Sequence, residues 1–129
     1  MKLKKPLVIL AIVIATLAVA FIGVKAILES GLKELSKTAI EEVDLGQIAD
    51  GNYQGSFSAF PVSVKLTVAI SGHRISAINL IEHTNGQGKP AEALLVRVAE
   101  AQKINLDVVS GATYSSKAIL LAIGNALGK

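Results

Sequence analysis

Asp107, Ser110, Gly111, Ala112 and Thr113, with Ser115, Ser116 and Lys117 close behind, are the residues of this chain best equipped for chemistry. They come just before a helical pattern that runs towards the C-terminus. A Ser-Gly-Ala-Thr turn that opens a helix aims free backbone N–H groups and the positive end of the helix dipole at one spot, which suits a phosphate. It also sets the Thr113 hydroxyl there. Gly111 has no Cβ, so it can take a positive φ and let a phosphate come close to the backbone. Ala112 is too small to block that approach. Ser110, Ser115 and Ser116 offer hydroxyls, and Lys117 offers a charge. Thr113 is a poor nucleophile, because its hydroxyl ionises far above neutral pH. The motif itself holds no base beside it, so an ester on Thr113 points to a separate transferase. The plainer reading is a helix N-cap, since Ser or Thr before an apolar periodic run is a common helix start.

A second candidate lies upstream. Thr84, Asn85, Gly86, Gln87 and Gly88 form a loop whose Asn-Gly step and two glycines predict a tight turn able to approach a ligand. His83 stands beside this loop, and a lone His with no second ligand nearby is not a metal site. Glu92 and Glu100 fall on the polar side of a predicted helix and read as solvated charges. His73 lies in a turn and reads as solvated too. The chain has no Cys, which removes the usual ligands of iron–sulfur clusters and any disulfide. No Ser-His-acid arrangement can be defended from the sequence, so no catalytic residues are assigned.

The stretch from Asp107 to Thr113 resembles the flavinylation motif of the FMN-binding domain family, Asp-x-x-Ser/Thr-Gly-Ala-Thr/Ser. That family includes the C subunit of the sodium-pumping NADH:quinone reductase and the G subunit of the Rnf complex. The context is similar as well. Asp50, Gly51, Tyr53 and Gly55 match an opening Asp-Gly-x-Tyr-x-Gly, and the loop at 84–88 is similar to a Thr-x-Gly-x-Gly loop that approaches the flavin. The family's usual Glu before that Thr is His83 here, and a frequent Pro is Asn85. The resemblance covers about residues 45–127. It implies FMN held covalently by a phosphoester on Thr113, attached by a magnesium-dependent flavin transferase that takes FMN from FAD. It implies that Thr84, Gly86 and Gly88 bring the loop to the isoalloxazine ring, with Thr84 and either His83 or Gln87 within hydrogen-bonding reach of it. Asp107 has two roles open to it: hydrogen bonding to the turn's N–H groups, or recognition by the transferase.

These residues need elements to position them. Residues 7–24 carry no charge, and eighteen helical residues span roughly 27 Å, close to the thickness of a bilayer's hydrocarbon core. Lys2, Lys4 and Lys5 precede them, which by the positive-inside rule keeps the N-terminus in the cytoplasm and exports the rest of the chain. A cleaved signal peptide, cut after Ala18-Val19-Ala20, is the alternative, but the apolar run continues past that point. The chain has 13 basic and 10 acidic residues, and without those three lysines the count is ten against ten. The basic balance therefore reports the membrane-flanking tail, and nucleic acid is not an expected partner.

The expected layout is a cytoplasmic tail and transmembrane anchor over 1–28, a juxtamembrane helix over 29–43, and one FMN-binding domain over 44–129. Leu28, Leu32, Leu35 and Ala39 give the stalk one apolar face. Val62, Val64, Leu66, Val68 and Ile70 alternate as a half-buried strand does. Ile75 begins the next strand, but Ile78 and Leu80 switch parity, which predicts a bulge near Ser76 and Ala77. Pro90 suits a first helical turn, with Ala91, Leu94, Leu95, Val98 and Ala101 facing inward. Ile119, Ile123, Ala126 and Leu127 mark the inner face of the last helix. The fold class is α+β, an antiparallel sheet meander with two helices, preceded by one N-terminal transmembrane helix.

The sequence and the resemblance together point to a membrane-anchored extracytoplasmic electron-transfer flavoprotein. It reads as a carrier or a subunit of a redox complex rather than a stand-alone enzyme. Such a protein implies a flavin transferase, membrane lipid, and a membrane or extracytoplasmic redox donor and acceptor as partners. A small FMN-dependent reductase and a flavin-free interaction module are the alternatives.

Overall fold

The computed structural model describes residues 4–84 and 89–128. Lys2 and the loop glycines Gly86 and Gly88 lie outside the described residues. The elements run α1 (Lys5–Lys37), β1 (Gly51–Ala59), β2 (Val62–Ser71), β3 (Arg74–Thr84), α2 (Ala93–Ala101) and α3 (Thr113–Ala126), with short 3-10 turns at Leu45–Gln47 and Lys89–Glu92. The strands form one antiparallel sheet in the order β1-β2-β3.

The alternation in β2 is realised without error. Val62, Val64, Leu66, Val68 and Ile70 are buried, while Lys65 is exposed on the other face. The helices α2 and α3 cover the apolar face and complete the core with Leu94, Val98, Ile119, Leu120 and Ile123. Each such side chain contributes about 1.5–3 kcal/mol by leaving water. At Gly55 the backbones of β1 and α3 meet so closely that a Cβ would run into the Ala122 carbonyl oxygen. Only glycine lets α3 lie flat on the sheet there.

The predicted bulge is present. Ala69 pairs with Ala77 and Ile70 with Ile75, so Ser76 is the extra residue. A second bulge lies further along β3: Lys65 pairs with Glu82 and Leu66 with Leu80, leaving Ile81 unpaired and exposed. Strict alternation from Leu80 would turn Glu82 inward. The extra residue at Ile81 restores the phase, and His83 turns towards the core opposite Val64.

The segments expected as anchor and stalk lie in one helix, Lys5–Lys37. Within α1 an 18-residue window has a mean hydropathy of 3.1 and no residue buried by the protein, so this helix is long and apolar enough to cross a membrane. Its far end is different. Leu32 is half-buried and Leu35 is 3% exposed against the domain core. The helix stops at Lys37, so Ala39 falls beyond it and is exposed, and Ile40 takes the buried place expected of Ala39. Ala101 is also exposed at the end of α2, where the helix closes on Gln102 in a left-handed conformation. The segment after α1 is tied to the domain by polar contacts. Lys117 Nζ donates to the Thr38 carbonyl (3.1 Å), and the Glu42 carboxylate accepts from the backbone N–H groups of Ile104 (3.3 Å) and Asn105 (2.6 Å).

Candidate functional site

The turn before α3 has the shape its sequence predicts. The Ala112 N–H donates to the Val109 carbonyl (2.9 Å), with Gly111 at φ +81°. That is type II geometry with Ser110 and Gly111 at its corners. A Cβ at Gly111 would meet nothing within 4 Å, so glycine is required by the backbone angle and not by crowding. Ser110 and Gly111 are exposed and Thr113 is half-buried as the first residue of α3.

A hydroxyl N-cap, the plainer alternative, is not how this helix begins. The capping position is Ala112, with φ −135° and ψ 41°, and no side chain caps the helix. The first-turn N–H groups have no intrahelical partner by the geometry of any α-helix. They stand beside an exposed turn at the positive end of a 14-residue helix dipole. This arrangement fits a phosphate group: an open approach over Gly111, N–H donors of the first turn, and Ser110 and Thr113 on either side of Gly111 and Ala112.

The other motif residues are placed differently. Ser116 is fully buried, and its Oγ donates to the Ala112 carbonyl (2.6 Å) while accepting from the Val109 N–H (3.0 Å). Ser116 thus fastens the turn to the helix. Ser115 is buried and its Oγ lies 3.1 Å from His83 Nε2. Lys117 reaches the Thr38 carbonyl, on the stalk side. Ala112 is itself core, at 5% exposure, so its small size serves packing. Asp107 is exposed and lines an open cleft with Arg97, Glu100 and Leu106; among the described residues no hydrogen bond ties its carboxylate to the turn. Thr84 closes β3, exposed, where the loop begins.

Two sequence expectations fail at His83. Glu92 is not simply a solvated charge, because its Oε2 lies 3.1 Å from His83 Nδ1. Nor is His83 a lone side chain at a loop: its side chain is 2% exposed and joins Glu92 to Ser115. A Ser-His-acid row therefore exists, assembled from β3, the 3-10 turn before α2, and α3. Strand parity does not reveal it: Ile78 and Leu80 put the even positions inward after the first bulge, and only the second, at Ile81, brings His83 back inward. His73, by contrast, is an exposed turn residue at φ 60°, with Nδ1 3.2 Å from the Ile48 carbonyl.

Comparison with known proteins bears on this site. The profile of the FMN-binding domain matches residues 60–128, more than half of the chain, and spans β2, β3, α2, the turn and α3. An uncharacterized protein of Treponema pallidum (strain Nichols) is 31% identical over 80 residues, covering 60% of this chain. The match takes in 22% of that relative, so this chain spans only a small part of its length. The matched region holds the uncapped helix start, the positive-φ glycine and Thr113 together, and the chain belongs to the FMN-binding domain family.

Proposed function

We propose that this protein is a membrane-anchored flavoprotein that carries electrons outside the cytoplasmic membrane, with FMN held by a phosphoester on Thr113. One observation carries the reading. Within the family match, α3 starts without a side-chain cap at an exposed turn whose Gly111 has φ +81°, and Thr113 is its first residue. Bound FMN supplies one- and two-electron redox chemistry.

The chain's own residues supply attachment and orientation. The first-turn N–H groups and the helix dipole hold the phosphate's negative charge, and the Ser110 hydroxyl adds a donor. Ser116 keeps the turn in shape from below by its two hydrogen bonds. Thr113 supplies the ester oxygen. Its hydroxyl needs activation from outside the motif, which supports a separate magnesium-dependent transferase. In that reaction the Thr113 oxygen–phosphorus bond forms as the pyrophosphate bond of FAD breaks, AMP leaves, and the hydroxyl proton goes to the transferase. The exposure of Asp107 beside Arg97 and Glu100, with no hydrogen bond to the turn among the described residues, supports recognition by that enzyme over bonding to the turn. Thr84 and the loop after it contribute ring contacts.

The apolar window of α1 and the lysines Lys4 and Lys5 at its start support a single-pass anchor with a cytoplasmic N-terminus. A covalent link keeps the cofactor in place at an extracytoplasmic site, where free FMN would diffuse away. Electrons come from and go to partners in or near the membrane, such as a quinone, another flavoprotein or a soluble reductase. The test is the colour of the full chain produced with a flavin transferase and then precipitated under denaturing conditions. Yellow protein supports the reading; a colourless pellet with a yellow or colourless supernatant rejects the covalent flavin.

A further inference from the structure

Three side chains under the proposed flavin turn form a hydrogen-bonded row that the electron-carrying role does not use. Glu92 Oε2 lies 3.1 Å from His83 Nδ1, and His83 Nε2 lies 3.1 Å from Ser115 Oγ. A carboxylate only accepts, so Nδ1 carries the hydrogen on the Glu92 side. Nε2 then accepts from the Ser115 hydroxyl, or donates to its oxygen when the imidazole is charged. The contact survives in both states.

The connectivity is that of a nucleophilic serine triad, and burial decides what it does here. A nucleophile has to reach its substrate. Ser115 is 2% exposed and the His83 side chain 2% exposed, so neither presents a reacting atom to solvent. What the row does reach is the start of α3. Ser115 lies two residues beyond Thr113 in the first turn of that helix, the turn that carries no side-chain cap. Its hydroxyl is the point at which that turn is fastened to the end of the sheet. Glu92 acts through His83 by fixing the ring's orientation and tautomer.

Resting on the FMN reading above, we propose that His83 is the positioning residue of the phosphate turn. It locks the first turn of α3 to β3, so that the N–H donors and the Thr113 hydroxyl keep one arrangement before the ester is made. A turn ordered in advance loses less conformational freedom when it is engaged, which speeds attachment. The same row connects β3, where the loop from Thr84 begins, to the helix that carries Thr113.

The test uses the full chain in detergent, with and without flavin transferase, FAD and magnesium. In protein without flavin, amide exchange is measured at Val109, Ala112 and Ser116, whose N–H groups bond within the turn, and at Leu66 and Ile119 in the core. His83→Ala should raise exchange at the three turn amides about tenfold, leave the core amides unchanged, and slow flavin attachment about tenfold by intact mass. His83→Gln and Glu92→Gln, which keep hydrogen-bonding groups in place, should recover most of both. If His83→Ala disturbs the core amides, Ser115→Ala replaces it, and the same two changes are expected. Turn exchange and attachment rate both equal to wild type would overturn the proposal. Labelling of Ser115 by a fluorophosphonate probe would overturn it too, in favour of a nucleophile. Faster turn exchange in a protein whose wild type never accepts flavin would leave the pinning in place and reject the FMN reading instead.

Discussion

His83 Nε2 lies 3.1 Å from Ser115 Oγ, joining the end of β3 to the first turn of α3 across 32 positions of sequence. The contact depends on a bulge. Ile81 stands outside the β2–β3 ladder, so Glu82 pairs with Lys65 on the outer face and His83 with Val64 on the inner one. Deleting Ile81 should leave both where they are, because Glu82 then follows Leu80 directly and the same pairs form without the bulge. A denaturant titration of the deletion variant should give a midpoint close to that of wild type. A loss of about 3–5 kcal/mol, the range for a charge buried without its partner, would show instead that the strand changes phase and turns Glu82 inward.

The two informative glycines should respond differently to alanine. Gly55→Ala drives a Cβ into the Ala122 carbonyl oxygen, so α3 has to lift from the sheet. Overpacking of this kind costs about 1–3 kcal/mol, or more where backbone is hit. Gly111→Ala meets open space and is opposed only by φ +81°, for about 1–2 kcal/mol. Chemical denaturation should rank Gly55→Ala as the more damaging, while flavin attachment should fall further in Gly111→Ala. The opposite ranking in both assays would remove the assigned roles.

Much of this arrangement could be read along the chain, and the failures have physical causes. The β2 strand, the bulge at Ser76 and the buried face of α3 are local patterns, and periodicity carries local patterns. The Gly111 turn was legible because glycine chemistry is local too. The partners of His83 were not. Whether it points in or out depends on the second bulge, and nothing in residues 78–84 marks Ile81 as the extra residue, since an exposed Ile on a strand is as ordinary as a buried one. Glu92 looks solvated on a helix whose polar side it occupies, and only the packing of β3 beside it supplies a partner. The join between α1 and the domain was half legible. The stripe Leu28, Leu32, Leu35 was visible, but its occupant was open, and the helix end at Lys37 moved the last buried position from Ala39 to Ile40.

That join makes its own prediction. Leu35 is 3% exposed in the domain core although it belongs to α1, the helix whose first part is apolar enough to cross a membrane. Leu35→Ala should destabilise the domain by about 2–5 kcal/mol, as a buried leucine does elsewhere. Glu42→Ala, which removes the acceptor for two backbone N–H groups, should cost about 1–3 kcal/mol. Thermal unfolding in detergent, followed by circular dichroism, measures both. A Leu35→Ala variant as stable as wild type would mean that the stalk merely tethers the domain.

Orientation is checked separately. Lys4 and Lys5 at the start of α1 predict a cytoplasmic N-terminus. Protease added to intact spheroplasts should digest the domain and leave an N-terminal tag protected. A domain protected until the membrane is opened would reverse the topology, and a mature N-terminus at Phe21 would show that the apolar segment is removed.

The central claim is the ester on Thr113, and the most direct measurement is intact mass with peptide mapping after production alongside a flavin transferase. Wild type should gain the mass of one FMN less water, with the adduct on the peptide that contains Thr113. Thr113→Ala should carry none, and Thr113→Ser should carry some, because only the hydroxyl is chemically required. Covalent flavin that persists in Thr113→Ala, or a wild-type chain that gains no mass, would contradict the account.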